Sequence, residues 1–430
     1  MENTNPVTPR TPNPRRKKRS RFQKIVRAYF PAAIVLALVV LFIIFAVGSV
    51  RRANEKREAA RLESLAAEAS FAQMMLELEM EAKALVKEAE NMAAGCEYDK
   101  AIEHLDTFSG NPDEFEVIVN AIARFKAEQA ALVSIGDVSQ VKTLSFGRIL
   151  RDASLFKGDL GDDNRYNYIS AAEFTRILQE LYNNGYMLVD IYDLFTTTTA
   201  EDGSTLIVQN DLKLPQGKKP IMLVNIQPNG YENKLVVAGD GSVDSEKSDA
   251  DTIDFVPLLD DFINSNPGFS YQGARAVISI TAHKGLFGYE LTETAQITKI
   301  SQALRDSGYI LASNTYGNLA YGKISLLELV DDLSNWDITV TPLIGETEVL
   351  VVARSSDLED SKEAYSGKRY DKTYEAGFHY YFGICYNSAP WMSITDNTIR
   401  IGRIMVNGNN LMTNAALYEG LFDTNQVLDK

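Results

Sequence analysis

Residues 30–50 read FPAAIVLALVVLFIIFAVGSV, an apolar run without a single charge. A helix needs about 20 such residues to cross the hydrocarbon core of a bilayer, so the pattern predicts a transmembrane helix over residues 29–50. A cleaved leader would have a shorter apolar region ending in a small-residue cleavage site, whereas this run is followed by Arg51 and Arg52. From residue 51 to residue 94 there is neither Pro nor Gly, and the chain is built of Ala, Glu, Leu, Met, Lys and Arg, all strong helix formers. Phe71, Met75, Leu78, Ala82, Leu85, Ala89 and Met92 alternate spacings of four and three, the seam of a coiled coil. That seam suits a homo-oligomeric stalk, or a single helix packed on the next helices of its own chain. Its alanines make a weak zipper and favour the second. Gly95 ends the run, and two shorter helices are expected over 98–108 and 114–132, so residues 51–135 read as a helical spacer.

Beyond Ser139 the period changes. Helical spacing returns over 171–184 (AAEFTRILQELYNN, closed by Gly185), 254–264, 292–307 and 326–333. Between these stretches lie short apolar runs: YMLVDI, PIMLVNI, AVISIT, residues 309–312 and EVLVVA. Apolar strands alternating with amphipathic helices imply a parallel α/β sheet with helices outside, either open or closed into a barrel. In such folds the chemistry sits in loops that follow the C-terminal ends of the strands. Those positions hold Asn225, Ile226, Gln227 and Tyr231, then Asn314, Tyr316 and Asn318, then Arg354. They are rich in amides and hydroxyls, with no carboxylate pair and no histidine.

Charge settles the orientation and removes one class of partner. The net charge is −15, yet the first 28 residues carry nine basic side chains against Glu2 alone. The remainder is therefore more acidic than the whole and repels phosphate backbones, which excludes nucleic acid. The basic tail outnumbers Arg51, Arg52, Lys56, Arg57 and Arg61 across the span. This asymmetry predicts a cytoplasmic N-terminus and a single-pass protein of the cell membrane, its main domain extracellular. The expected division is a tail over 1–28, the span over 29–50 in contact with lipid, the spacer over 51–135 and the α/β domain over 136–430. Two cysteines, Cys96 and Cys385, are too few for a disulfide framework or a thiolate metal site. Whether they pair is left open.

The runs LPQGKKPIMLVNIQPNGYENKLVV, DFVPLLDDFINSNPGFSYQGARAVISITAHKGLFGYE and LRDSGYILASNTYGNL, in one collinear order, resemble membrane-anchored polysaccharide deacetylases with a NodB-homology domain, as found in Gram-positive bacteria. The stretch AAEFTRILQELYNNGYMLVDIYDLF resembles that domain's lead-in helix and first strand, and the likeness covers roughly residues 140–410. It implies a NodB-type distorted (β/α) barrel and a role in carbohydrate metabolism at the cell envelope.

That family's chemistry needs an Asp-Asp pair, the first the general base and the second a metal ligand, where Ile226 and Gln227 stand here. It also needs two histidines four residues apart, where this chain reads SNTYGN with Asn314 and Asn318. A carboxylate and two imidazoles bind Zn²⁺ and leave a position open for activated water. Neutral amide oxygens suit such an ion poorly, and Ile226 cannot accept a proton. The whole chain holds three histidines, His104, His283 and His379, none in that spacing. His283, after AVISIT, would serve as a general acid only beside a metal or base. The resemblance, with these departures, implies a pseudo-enzyme with no cofactor and no catalytic residue. Its expected partner is cell-wall or surface polysaccharide, or an envelope-assembly protein, and the ligand-binding candidates are Gln227, Tyr231, Asn314, Tyr316, Asn318 and Arg354. One alternative is an active carbohydrate deacetylase with a rebuilt site. For it the acidic doublets are Asp162 with Asp163, Asp260 with Asp261 and Asp331 with Asp332, the last two expected on solvated helix faces. The other alternative is a purely structural surface scaffold.

Overall fold

The structure, a computed structural model, describes residues 21–156, 165–226, 233–246, 250–359, 364–385 and 390–429. The chain divides into two compact units, Met1–Met80 and Glu81–Lys430. Helix α1 (Arg21–Ala94) belongs to both. Its first part contains the one helical stretch, among the described residues, that is long and apolar enough to cross a membrane, with a mean hydropathy of 3.1 over its most apolar window. Leu41, Phe42, Ile44 and Phe45 all stand exposed there, an apolar surface on every side that water solvates badly.

In the second unit seven parallel strands close into a barrel. They are β1 (Lys142–Phe146), β2 (Lys219–Ile226), β3 (Val277–Ile280), β4 (Ile310–Ser313), β5 (Val349–Val351), β6 (Tyr380–Cys385) and β7 (Ile399–Val406). Each pairs with the next in sequence order, and β7 returns to β1 with Val406 opposite Phe146. Successive side chains of a strand point to opposite faces, and burial sorts them accordingly. Leu144, Phe146, Ile221, Leu223, Ile278, Ile280, Leu311, Leu350 and Ile404 join the apolar cluster shared with the helices. Their neighbours Thr143, Ser145, Met222, Val224, Ser279, Ala312, Val351, Phe382 and Arg403 are equally buried outside that cluster. These fill the barrel, as small barrels require.

The helices form where the local signals ask for them. Helix α2 (Tyr98–Leu105) and α3 (Glu116–Ala130) precede the barrel. In α4 (Ala171–Asn183) Ser170 and Glu173 form a reciprocal capping box, and Gly185 ends the helix at φ +80. Helices α5 (Phe255–Ser265) and α6 (Thr294–Asp306) cover the barrel through Phe255, Leu259, Ile297 and Leu304. A second capping box, Ser325 with Glu328, starts α7 (Leu326–Thr339), and α8 (Lys368–Glu375) precedes β6.

Some expectations change. The run YMLVDI yields a strand only at Tyr186–Leu188, which pairs with the first residues of β2 outside the ring. The first barrel strand is β1 instead. The reason is visible in β2: Lys219 to Ile221 take Tyr186–Leu188 on one edge, while Val224 to Ile226 take β3 on that same edge. The stripe on α1 is used within the chain from Ala82 onward. Ala82, Val86, Ala89 and Ala93 are buried in the second unit, beside a Glu88–His104 pair at 2.9 Å and Glu90–Arg124 at 2.6 Å. The segment expected as one spacer is thus divided between the two units. Cys96 and Cys385 are both buried and not joined in a disulfide.

The two helical doublets are each split: Asp261 and Asp331 are exposed, as expected of solvated faces, while their neighbours Asp260 and Asp332 are turned into the fold. Asp260 accepts from Arg275 Nε at 2.7 Å and from the Tyr309 hydroxyl at 3.0 Å, and burial raises its pKa. Asp332 is buried at 4% exposure. Both close structural networks. Asp162 and Asp163 lie outside the described residues.

Candidate functional site

The C-terminal ends of β2, β4, β5 and β7 meet around a cleft of about 350 Å³ lined by Ile226, Asn314, Asn318, Val352, Arg354, Ser355, Arg403 and Met405. Three of the sequence-designated positions, Asn314, Asn318 and Arg354, are therefore brought together with Ile226. Tyr316 is not: it is half-buried against the apolar cluster, and its carbonyl accepts from Thr281 Oγ1 and Ala282 N, both at 3.0 Å. Gln227 and Tyr231 lie outside the described residues.

Each lining side chain is set by its own strand end. Asn314 is 1% exposed. Its backbone N–H donates to Ile280 O at 2.6 Å and its Nδ2 to Val351 O at 2.8 Å, so one residue ties β4 to both neighbouring strands. The following loop then turns through Thr315 at φ 64 and Asn318 at φ 53, left-handed values that Asn tolerates better than most residues. The turn is closed by Leu319 N donating to Thr315 Oγ1 at 2.6 Å. Asp332 on α7 holds it from outside, accepting from Tyr316 N, Gly317 N and the Tyr321 hydroxyl, each at 2.8 Å.

After β5 the chain repeats the device. Arg354 and Ser355 have φ of 49 and 54, successive non-glycine residues in a region costing of order 1–3 kcal/mol each. Both side chains stand exposed at the rim. From β7, Arg403 enters the barrel at 1% exposure and donates Nη2 to Val352 O at 3.0 Å. Arg403, Ser355 and Met405 were not singled out by sequence. The signal for Arg403 was the charge inside the otherwise apolar run IRIGRIMV, because a buried guanidinium in a strand needs a purpose or a partner.

The other arginine of that run has a different fate. Arg400 faces the opposite side, with its guanidinium 3.5 Å from the Tyr365 ring centroid, 5.3 Å from Trp391 and 3.4 Å from Asp357 Oδ2. Desolvation, with the Asp357 carboxylate close by, pushes the Tyr365 hydroxyl pKa well up.

Among the described residues, the donor set at the mouth does not fit Zn²⁺ or a similar ion. Asn314 and Asn318 supply neutral amides, Ile226 supplies nothing, and two guanidiniums share the cleft, repelling a cation. Among the described residues no group of three or more His, Cys, Asp and Glu gathers anywhere. The histidines are scattered. His283 is exposed beyond β3, His104 pairs with Glu88, and His379 is buried before β6 in a T-shaped contact with the Tyr374 ring. Burial lowers the His379 pKa.

No protein-family model and no curated protein matches the chain. Among solved structures it is similar to the Streptococcus pyogenes deacetylase PplD in complex with acetate, with a TM-score of 0.37 and 11% identity over 64% of this chain and 97% of that one.

Proposed function

We propose that the protein is a membrane-anchored, extracytoplasmic glycan-binding relative of the NodB-type polysaccharide deacetylases, and that its barrel has given up hydrolysis. One observation carries this reading. The positions at which the family resemblance implies a base and metal ligands, Ile226, Asn314 and Asn318, converge on a single cleft at the C-terminal mouth. Their side chains there can hydrogen-bond or pack, but neither hold a transition metal nor take a proton from water. Such a cleft keeps what sugar recognition needs, convergent polar groups on an apolar floor. The apolar helix of the first unit supplies the anchor, with the basic tail kept inside.

The test is calorimetric titration of the full-length protein in detergent with chitin, xylan and peptidoglycan oligomers, together with an assay for released acetate after loading with Zn²⁺. Binding without acetate release is expected. Acetate release above a blank would show a working deacetylase and overturn the reading. Absence of binding to these oligomers and to acidic glycans alike would leave only a scaffold.

A further inference from the structure

The charge at the mouth runs against the charge of the molecule. The chain is −15 overall, yet the described residues lining the cleft include Arg354 and Arg403 and no aspartate or glutamate. A neutral sugar is read by amides, hydroxyls and ring faces, and asks for no cluster of positive charge. Two guanidiniums converging on a small cleft suit a planar anion, because the fork of N–H donors matches carboxylate and phosphate oxygens two at a time. Resting on the glycan-binding reading, we propose that the occupant is an acidic glycan, whose carboxylate or phosphate substituent is held between Arg354 and Arg403.

The two arginines are prepared differently. Arg403 is buried, and its Nη2 is fixed on Val352 O at 3.0 Å, so its plane is set before any ligand arrives. Arg354 sits exposed on a left-handed turn shared with Ser355. Backbone held in that sparsely populated region aims a side chain at a cost the surroundings must meet, a pattern common at ligand sites. A fixed inner guanidinium and a solvent-facing outer one give an entering anion first a steering charge and then a seat. Asn314 is also fixed, through Nδ2 on Val351 O, and leaves its amide oxygen for a sugar hydroxyl. The volume of about 350 Å³ lies at the small end of ligand clefts, room for one charged unit of a polymer.

The experiment compares ligands of matched length on the full-length protein in detergent: oligogalacturonate for a carboxylate, short poly(glycerol phosphate) for a phosphate, and chitin oligomers as the neutral control. At least one acidic ligand should bind about tenfold or more tightly than the neutral one, and weaken as salt rises. Which one does so names the source of the anion. Arg354→Gln lies on the rim and leaves the core intact. It should remove most of that preference, with partial recovery in Arg354→Lys, while circular dichroism stays unchanged. Neutral oligomers binding as tightly as acidic ones, or a preference that survives Arg354→Gln, would overturn this inference and leave the glycan reading standing. Failure of all three ligands would overturn both.

Discussion

Asp332 stands on α7, outside the barrel, yet it accepts three hydrogen bonds of 2.8 Å from the loop that carries Asn318. Truncation to Ala leaves two backbone N–H groups and the Tyr321 hydroxyl without their acceptor in a place 4% exposed. At roughly 1–3 kcal/mol for each stranded polar group, partly offset by relaxation, Asp332→Ala should cost about 3–5 kcal/mol. A urea melt reads this directly, and a loss below about 1 kcal/mol would mean the loop is held elsewhere. Asn318 allows the complementary experiment. Its φ of 53 is free of strain for glycine, so Asn318→Gly should keep the melting midpoint while weakening glycan binding by about tenfold, the worth of a hydrogen bond or so. A stable variant with unchanged affinity would remove Asn318 from the ligand's surface. Sequence placed Asn318 correctly at a strand end. It could not place Asp332, because a doublet on a helix looks the same whether it meets solvent or a loop 16 residues away in sequence.

At the scale of elements, the apolar strands β2, β3, β4 and β5 and the capped helices were legible, since each is defined by neighbours within a few residues. The strands β6 and β7 were not. They carry Tyr380, Tyr381, Gly383, Arg400 and Arg403, residues whose burial depends on Asp357, Trp391 and Val352 arriving from other parts of the chain. The same blindness hid a pair of carboxyls on the short helix Ile191–Leu194. Asp190 caps it through Tyr192 N and Asp193 N, and Asp193 answers with Oδ2 on Asp190 N at 2.8 Å. Burial raises the pKa of both above the ordinary carboxylate range, and the nearness of Asp190 raises that of Asp193 further. A carboxyl with a raised folded-state pKa binds its proton more tightly when folded. Its contribution is therefore full below the unfolded value of about 3.9 and is lost as pH rises toward neutrality. Thermal melts should thus contain a component that falls between pH 4 and pH 8 (about a few kcal/mol at most). Asp193→Asn keeps an acceptor for Asp190 N and removes the titration, so it should flatten that slope and raise Tm at pH 8. An unchanged slope would assign the pH dependence to other groups.

At the scale of the molecule, the helices before the barrel make direct contacts with it. Gln272 N donates to Gly95 O at 2.7 Å, and Ile135 N to Leu212 O at 3.0 Å. Val133–Ser134 pairs as a strand with Lys213–Leu214. A side chain at Gly95 would begin 3.1 Å from Ser270 O, so the chain passes there in direct contact with the turn before β3. Each of these contacts lies ahead of β2 or β3, at the N-terminal end of the barrel, while the cleft opens at the other end of the same parallel strands. The helical segment thus serves as a floor for the barrel and leaves the mouth at the C-terminal ends of the strands uncovered. Cys96, Tyr98, Ile118 and Phe125 are buried within this second unit, and each exposed large side chain forfeits about 1.5–3 kcal/mol of burial. A chain beginning at Glu81 should therefore unfold cooperatively in urea and bind glycan like the full-length protein. One beginning at residue 136 should be insoluble or should melt at a much lower denaturant concentration, because it lacks both the floor and the partner strand of Lys213–Leu214. Equal midpoints for the two chains would mean that the barrel stands alone and that residues 81–135 are the spacer their composition suggests.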